Sequence, residues 1–144
     1  HTSRVQALTP LRDSPAKLAS AGADCSVRLY DLGAERVVSV LRPSNSAYGV
    51  HAVETIASTV LLEVAHKELQ YELRDYRLVP VAPVIRFGFD AACAQGRYAR
   101  GALNAHMFAA GGADGVVRVW DVRRCERPLQ TVRVFSPVSR ESRC

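Results

Sequence analysis

Two segments ninety positions apart are nearly the same. Leu18-Ala19-Ser20-Ala21-Gly22-Ala23-Asp24-Cys25-Ser26-Val27-Arg28-Leu29-Tyr30-Asp31 aligns without a gap on Phe108-Ala109-Ala110-Gly111-Gly112-Ala113-Asp114-Gly115-Val116-Val117-Arg118-Val119-Trp120-Asp121. A short unit written twice cannot bury its apolar face alone, so the copies must stack on neighbours of the same kind. That requirement restricts the fold to a repeat architecture. It also favours binding over catalysis, because repeated side chains are committed to stacking.

Each copy has an apolar run, a small-residue turn carrying Asp, and an alternating segment. In Val27-Arg28-Leu29-Tyr30 and Val117-Arg118-Val119-Trp120 apolar and polar or aromatic residues alternate with period two, which is the pattern of a strand. Asp114-Gly115 is a hairpin signal, and Cys25 stands where that Gly stands in the other copy. A further strand is expected after each unit, over Arg36–Leu41 and Thr131–Phe135. Another is expected before each, over Arg4–Leu8 and Val84–Phe87. The unit is therefore four antiparallel strands.

These features resemble the WD repeat, whose unit is one four-stranded blade of a β-propeller. Trp120-Asp121 is the signature dipeptide and Tyr30-Asp31 its aromatic variant. His1, thirty positions before Asp31, stands where the opening His of a repeat is expected. The spacing between copies is about twice a WD repeat, so a worn copy is expected between them. Thr59–Val64 would be its second strand and Leu69–Asp75 its third. Glu68 then stands at the turn Asp, Arg74 at the aromatic, and His51 serves as opening His. A helix over Glu63–Arg77, rich in Leu, Glu, Lys and Gln, is the alternative. The expected organisation is all-β: a partial β-propeller of about three four-stranded antiparallel blades. The blades cover 1–45, 46–83 and 84–136, the last with a long inserted loop over 91–104, and 137–144 form a tail. Three blades cannot close a ring of four to eight. The chain is accordingly expected to be the C-terminal part of a longer protein, with two raw edges.

The resemblance implies a hydrogen-bonded structural tetrad of His1, Ser20, Asp24 and Tyr30 in the first blade, and a partial one, Asp114 and Trp120, in the last, where Ala110 takes the Ser place and Phe87 or a neighbour the His place. Repeat position accounts for His1, Ser20 and Asp24 without a catalytic triad, and no oxyanion pocket is evident beside them. The more complete network suggests that the first blade is the stiffest and the middle one the most pliable. No catalytic residue, cofactor or metal site is expected. Cys25, Cys93, Cys125 and Cys144 lack metal-ligand spacing, as do His51, His66 and His106. The scattered cysteines suit a reduced, intracellular protein of cytoplasm or nucleus, and no apolar run approaches a membrane span.

Function on such a fold resides in its surfaces, and a non-catalytic protein–protein interaction scaffold within a multiprotein complex is expected. Trp120-Asp121-Val122-Arg123, with Asp114, resembles the box by which substrate receptors of cullin-4 RING ubiquitin ligases dock on the ligase adaptor. The first blade has Gly33 at the Arg123 place. Arg97, Tyr98 and Arg100, in the inserted loop, form a second candidate contact. The net charge is +5, with seventeen Arg and two Lys. Arg123, Arg124, Arg127 and Arg133, with Arg140 and Arg143, make a ribonucleoprotein or chromatin role the third alternative.

Overall fold

The computed structural model describes residues 1–78, 85–90 and 99–135. These residues form twelve strands: β1 Val5–Pro10, β2 Lys17–Gly22, β3 Ser26–Asp31, β4 Arg36–Leu41, β5 Ala47–Ala52, β6 Thr59–Val64, β7 Tyr71–Asp75, β8 Ile85–Phe87, β9 Ala102–Asn104, β10 Met107–Gly111, β11 Val116–Asp121 and β12 Gln130–Arg133. They pair antiparallel as three four-stranded sheets, β1–β4, β5–β8 and β9–β12, each in chain order. The Glu63–Arg77 stretch is therefore two strands and a turn, not a helix.

Register fixes the equivalence of the sheets. Asp31 lies opposite Lys17, Asp75 opposite Thr59, and Asp121 opposite Met107. The turns between second and third strands also match: Cys25 (φ 54°) and Gly115 (φ 73°) both take the left-handed conformation that closes the hairpin.

Two strands depart from the sequence reading. Ile85–Phe87 pairs with β7, Phe87 opposite Tyr71, so it ends the middle sheet instead of opening the last. The last sheet opens with Ala102–Asn104, inside the stretch expected to be an inserted loop. The middle blade accordingly extends beyond 83. The reason is chemical. Phe87 joins the aromatic layer around Tyr71, while Ala102-Leu103-Asn104 is too short and too mildly apolar to stand out as a strand.

Alternation gives every sheet two faces, here termed front (towards the preceding sheet) and rear. Ala19, Ala21, Val27 and Leu29 on the rear of the first sheet pack against Val50, Val60, Leu62 and Val64 on the front of the middle one. On the rear of the middle sheet, Leu61, Tyr71, Leu73 and Phe87 meet Phe108, Ala110 and Trp120 on the front of the last. The second junction is aromatic: Trp120 lies 5.3 Å from the Tyr71 ring, 5.6 Å from Phe87 and 6.1 Å from Phe108. The first strands gather on the inside of the arc. β1 packs against β5, and Arg100, just before β9, donates a hydrogen bond to the carbonyl of Gln6 in β1.

The middle sheet is covered on both sides, and all six residues of β6 are buried. Burial thus ranks the middle sheet as the best protected, opposite to the ranking expected from the polar network. Covering a sheet on two faces excludes water from its hydrogen bonds more completely than one well-tied turn does.

Candidate interaction rim

The two ends of the sheet stack differ. At one end the turns between second and third strands are closed by buried polar groups. His1 Nδ1 lies 2.9 Å from Asp24 Oδ1, and its Nε2 lies 2.8 Å from Ser20 Oγ. Thr2 N donates to Asp24 Oδ2 at 2.9 Å, and Ser26 Oγ donates to Oδ1 at 2.7 Å. Burial works against the Asp24 carboxylate, but the hydrogen bonds from Ser26 and Thr2 outweigh it and hold the group below its ordinary value. Gly22 leaves the room that this needs, since a Cβ there would run into the His1 ring and the Asp24 carboxylate. Ser20 is buried, and its hydroxyl donates back to the carbonyl of Arg28 at 3.4 Å. These contacts tie the chain before β1 to the β2–β3 turn.

His1, Ser20 and Asp24 thus come together, with Ser26 added. Tyr30 stands apart: it is 37% exposed, on the uncovered front of the first sheet. The last blade satisfies its turn differently. Arg118 Nη2 donates to Asp114 Oδ2 at 2.6 Å and its guanidinium lies 4.3 Å over the Phe89 ring. The His place is not taken by Phe87, which sits in the aromatic junction. In the middle blade neither His51 nor Glu68 closes the turn. His66 Nδ1 accepts from the backbone of Glu68 and Leu69, both at 3.1 Å. His51 lies within β5, opposite Leu61, and not ahead of it.

The middle blade buries two carboxylates instead. Glu63 is wholly buried; Oε1 pairs with His51 Nε2 at 2.6 Å and Oε2 accepts from Gly101 N at 2.9 Å, across the junction to the last blade. Gly49, on the neighbouring strand, has no Cβ to collide with that carboxylate. Glu72, also wholly buried, takes the forked donation of Arg74, at 3.0 and 2.7 Å, and the backbone N–H of Ser44 at 3.1 Å. Burial opposes its charge, but Ser44 and Arg74 prevail, and the group stays below its ordinary value.

The opposite end gathers the turns after the first and third strands. There Asp121, at the end of β11, accepts Arg123 N and Nε at 2.9 Å each on Oδ1, and Nη2 at 2.6 Å on Oδ2. Asp75, at the end of β7, holds Arg77 in the same way: N at 2.9 Å and Nε at 3.1 Å on Oδ1, Nη2 at 2.7 Å on Oδ2. The forks lower both carboxyls, Asp121 well below the usual carboxylate range. Trp120 and Val122 are fully buried, whereas the Arg123 and Arg77 side chains are 52% and 64% exposed. Two blades therefore present the same planar cation at the same rim. Arg77 carries no such signal in the sequence, because Arg74 replaces the aromatic before Asp75.

Between the first and middle blades this rim opens into a cleft of about 190 Å³, floored by Leu11, Ala52 and Val53 and walled by Asp13 and Tyr76. A second cleft of about 140 Å³ reaches His51, Leu103 and Ala105; the Arg12–Glu54 ion pair lines both. Of the inserted-loop candidates, Arg100 is turned to Gln6, and Arg97 and Tyr98 lie outside the described residues, as do Cys93, Cys144, Arg140 and Arg143. Among the described residues no three His, Cys, Asp or Glu side chains are placed to hold a metal ion. Among the described residues no helix is long and apolar enough to cross a membrane.

Comparison with known proteins agrees with this geometry. The family of the WD domain, G-beta repeat, matches residues 1–31 and 101–121. No curated protein matches the sequence. Among solved structures, a chain in the crystal structure of a mitotic checkpoint complex is similar over 92% of this chain and 38% of that one, with a TM-score of 0.70 and 15% identity. The chain thus spans well under half the length of that structural relative, and at this identity the likeness is one of fold. Residues 1–31 and 101–121 thus match the WD repeat, and the three four-stranded sheets have the fold of an arc of a β-propeller.

Proposed function

We propose that the chain is a non-catalytic protein-interaction scaffold whose working surface is the rim carrying Arg77 and Arg123. The observation behind this reading is the paired fork. Each guanidinium is fixed by a carboxylate and by its own backbone, so little side-chain freedom is lost when a partner binds, while much of the cation still faces solvent. Cross-linking in cell extract, followed by charge reversal, tests it. Arg77→Glu with Arg123→Glu should remove the cross-linked proteins from the rim without unfolding the chain. Unchanged cross-links would place the working surface elsewhere.

The finer reading is docking on the adaptor of a cullin-4 RING ubiquitin ligase through Trp120-Asp121-Val122-Arg123. It is favoured by the rim position of Arg123 and by the second fork at Arg77. Titration with purified adaptor should show binding that Arg123→Ala weakens at least about tenfold, on the order of 1.4 kcal/mol. Binding indifferent to Arg123 would dispose of it. Nucleic-acid recognition is the third reading; of the arginines it rests on, Arg123 is forked by Asp121, and Arg140 and Arg143 lie outside the described residues.

A further inference from the structure

The larger rim cleft differs from the arginine forks in its charge. It lies between the turn after β1 and the turns after β5 and β7, in two blades whose four strands are all in the chain. Its mouth faces the rim, so a further sheet stacked on either end of the arc would not close it. Leu11 and Val53 on its floor are buried, and Ala52 and Ala57 put no bulk above them. At about 190 Å³ it is smaller than the roughly 300–1,000 Å³ of a small-molecule pocket. It has the size for one long side chain.

Arg12, Asp13 and Glu54 line it, one cation against two carboxylates. Arg12 and Glu54 pair with each other at 2.5 Å, which leaves Asp13 as the carboxylate of the cleft without an arginine. Its contact with Lys17 is loose, at 3.7 Å, with the side chains 34% and 31% exposed. The Tyr76 hydroxyl is hydrogen-bonded to Asp13 and to Ser58; burial first, and the Asp13 bond next, raise the phenol above its ordinary value. Tyr76 therefore keeps its proton and donates it to Asp13, which fixes the carboxylate at the wall. Tyr76 N donates to the Ser58 carbonyl and Val53 N to that of Thr59, both at 3.0 Å. The walls are thus set before anything binds, and little freedom is lost on binding.

An apolar floor beneath a carboxylate suits a side chain with a long methylene stem and a cationic head. An ammonium group fits better than a guanidinium. The flat edge that an arginine fork needs is already used on Asp13 by Tyr76 and on Glu54 by Arg12. A carboxylate in the same place would face Asp13 without a counter-charge.

We infer that this cleft seats a lysine side chain of a partner protein, its stem over Leu11, Ala52 and Val53 and its ammonium group donating to Asp13 beside the Tyr76 ring. The seat is independent of the arginine forks: it can fail while they hold, and hold while they fail.

Titration of the whole chain with the tripeptide acetyl-glycyl-lysyl-glycinamide, followed by amide NMR shifts, tests this. Saturable shifts are expected at Asp13, Ala57, Ser58 and Tyr76, with a Kd on the order of 1 mM. The norleucine peptide keeps the stem and lacks the ammonium group. It should bind at least about fivefold more weakly, on the order of 1 kcal/mol, and the arginine peptide should also be weaker. Asp13→Asn should weaken the lysine peptide by a similar factor. Ala57→Trp fills the cleft from an exposed position and leaves Asp13 with its partners, and it should abolish the shifts. Circular dichroism reports whether each variant is folded; should Asp13→Asn unfold, Ala57→Trp carries the comparison alone. Shifts confined to other parts of the chain would overturn the proposal. So would norleucine, arginine or glutamate peptides that bind as tightly as the lysine peptide, or lysine binding that survives Ala57→Trp.

Discussion

Trp120 and Tyr30 occupy the same place in their blades but have different surroundings, and replacing each by Ala separates the contribution of the repeat position from that of the cover. Trp120 is fully buried, with the rings of Tyr71, Phe87 and Phe108 at 5.3, 5.6 and 6.1 Å and Phe89 stacked at 6.2 Å. Emptying a fully buried aromatic site costs about 3–5 kcal/mol. Each favourable ring pair adds about 0.5–1.5 kcal/mol beyond area alone, so Trp120→Ala belongs near the upper end. Tyr30 is 37% exposed, so Tyr30→Ala should cost about 1 kcal/mol. Urea unfolding would measure both, with the midpoint moving and the slope constant. Equal losses for the two substitutions would refute the reasoning, because then the place in the repeat, and not the packed junction, would set the energy.

Three further outcomes follow from the same contacts. Gly49→Ala should destabilise by crowding the Glu63 carboxylate, and much of that loss should vanish in a Glu63→Ala background; a double-mutant cycle should give a coupling of about 1–2 kcal/mol, and strict additivity would contradict the assigned contact. Amide exchange should be slowest in β6, whose residues are all buried; slower exchange in β2 and β3 would restore the ranking drawn from the polar network. Asp24, Glu72, Asp75 and Asp121 titrate below their ordinary values of 3.8 and 4.5. The unfolded chain therefore takes up their protons first as pH falls. Their stabilisation is complete above those ordinary values and is lost as pH drops through the lowered ones, so stability unchanged between about pH 5 and about pH 2 would count against the hydrogen bonds described.

The stacking of equivalent sheets is legible because the register-bearing residues, Asp24, Arg28 and Asp31 against Asp114, Arg118 and Asp121, are written twice. The His1–Ser20–Asp24 contacts follow from that register. Residues whose role depends on a neighbour distant in the chain are not legible in this way. Glu63 and Glu72 fall in the expected strands, but nothing local announces that Gly49, His51 and Gly101 surround one of them, or that Ser44 and Arg74 hold the other. The same holds for Arg118: its partner Asp114 is close in sequence, but the Phe89 ring that covers it comes from the preceding blade. Val84–Phe87 reads as the start of the wrong blade because apolarity marks a strand without saying which edge it joins.

The front-to-rear stacking of the three sheets is tested most directly by nuclear Overhauser contacts from the Trp120 indole, which is alone of its kind in the chain. Cross-peaks to the Tyr71 and Phe87 rings, together with Leu29 to Leu62 methyl contacts, are expected. An indole in contact with Val27 or Leu29 of the first sheet, and silent towards Tyr71, would contradict the arrangement.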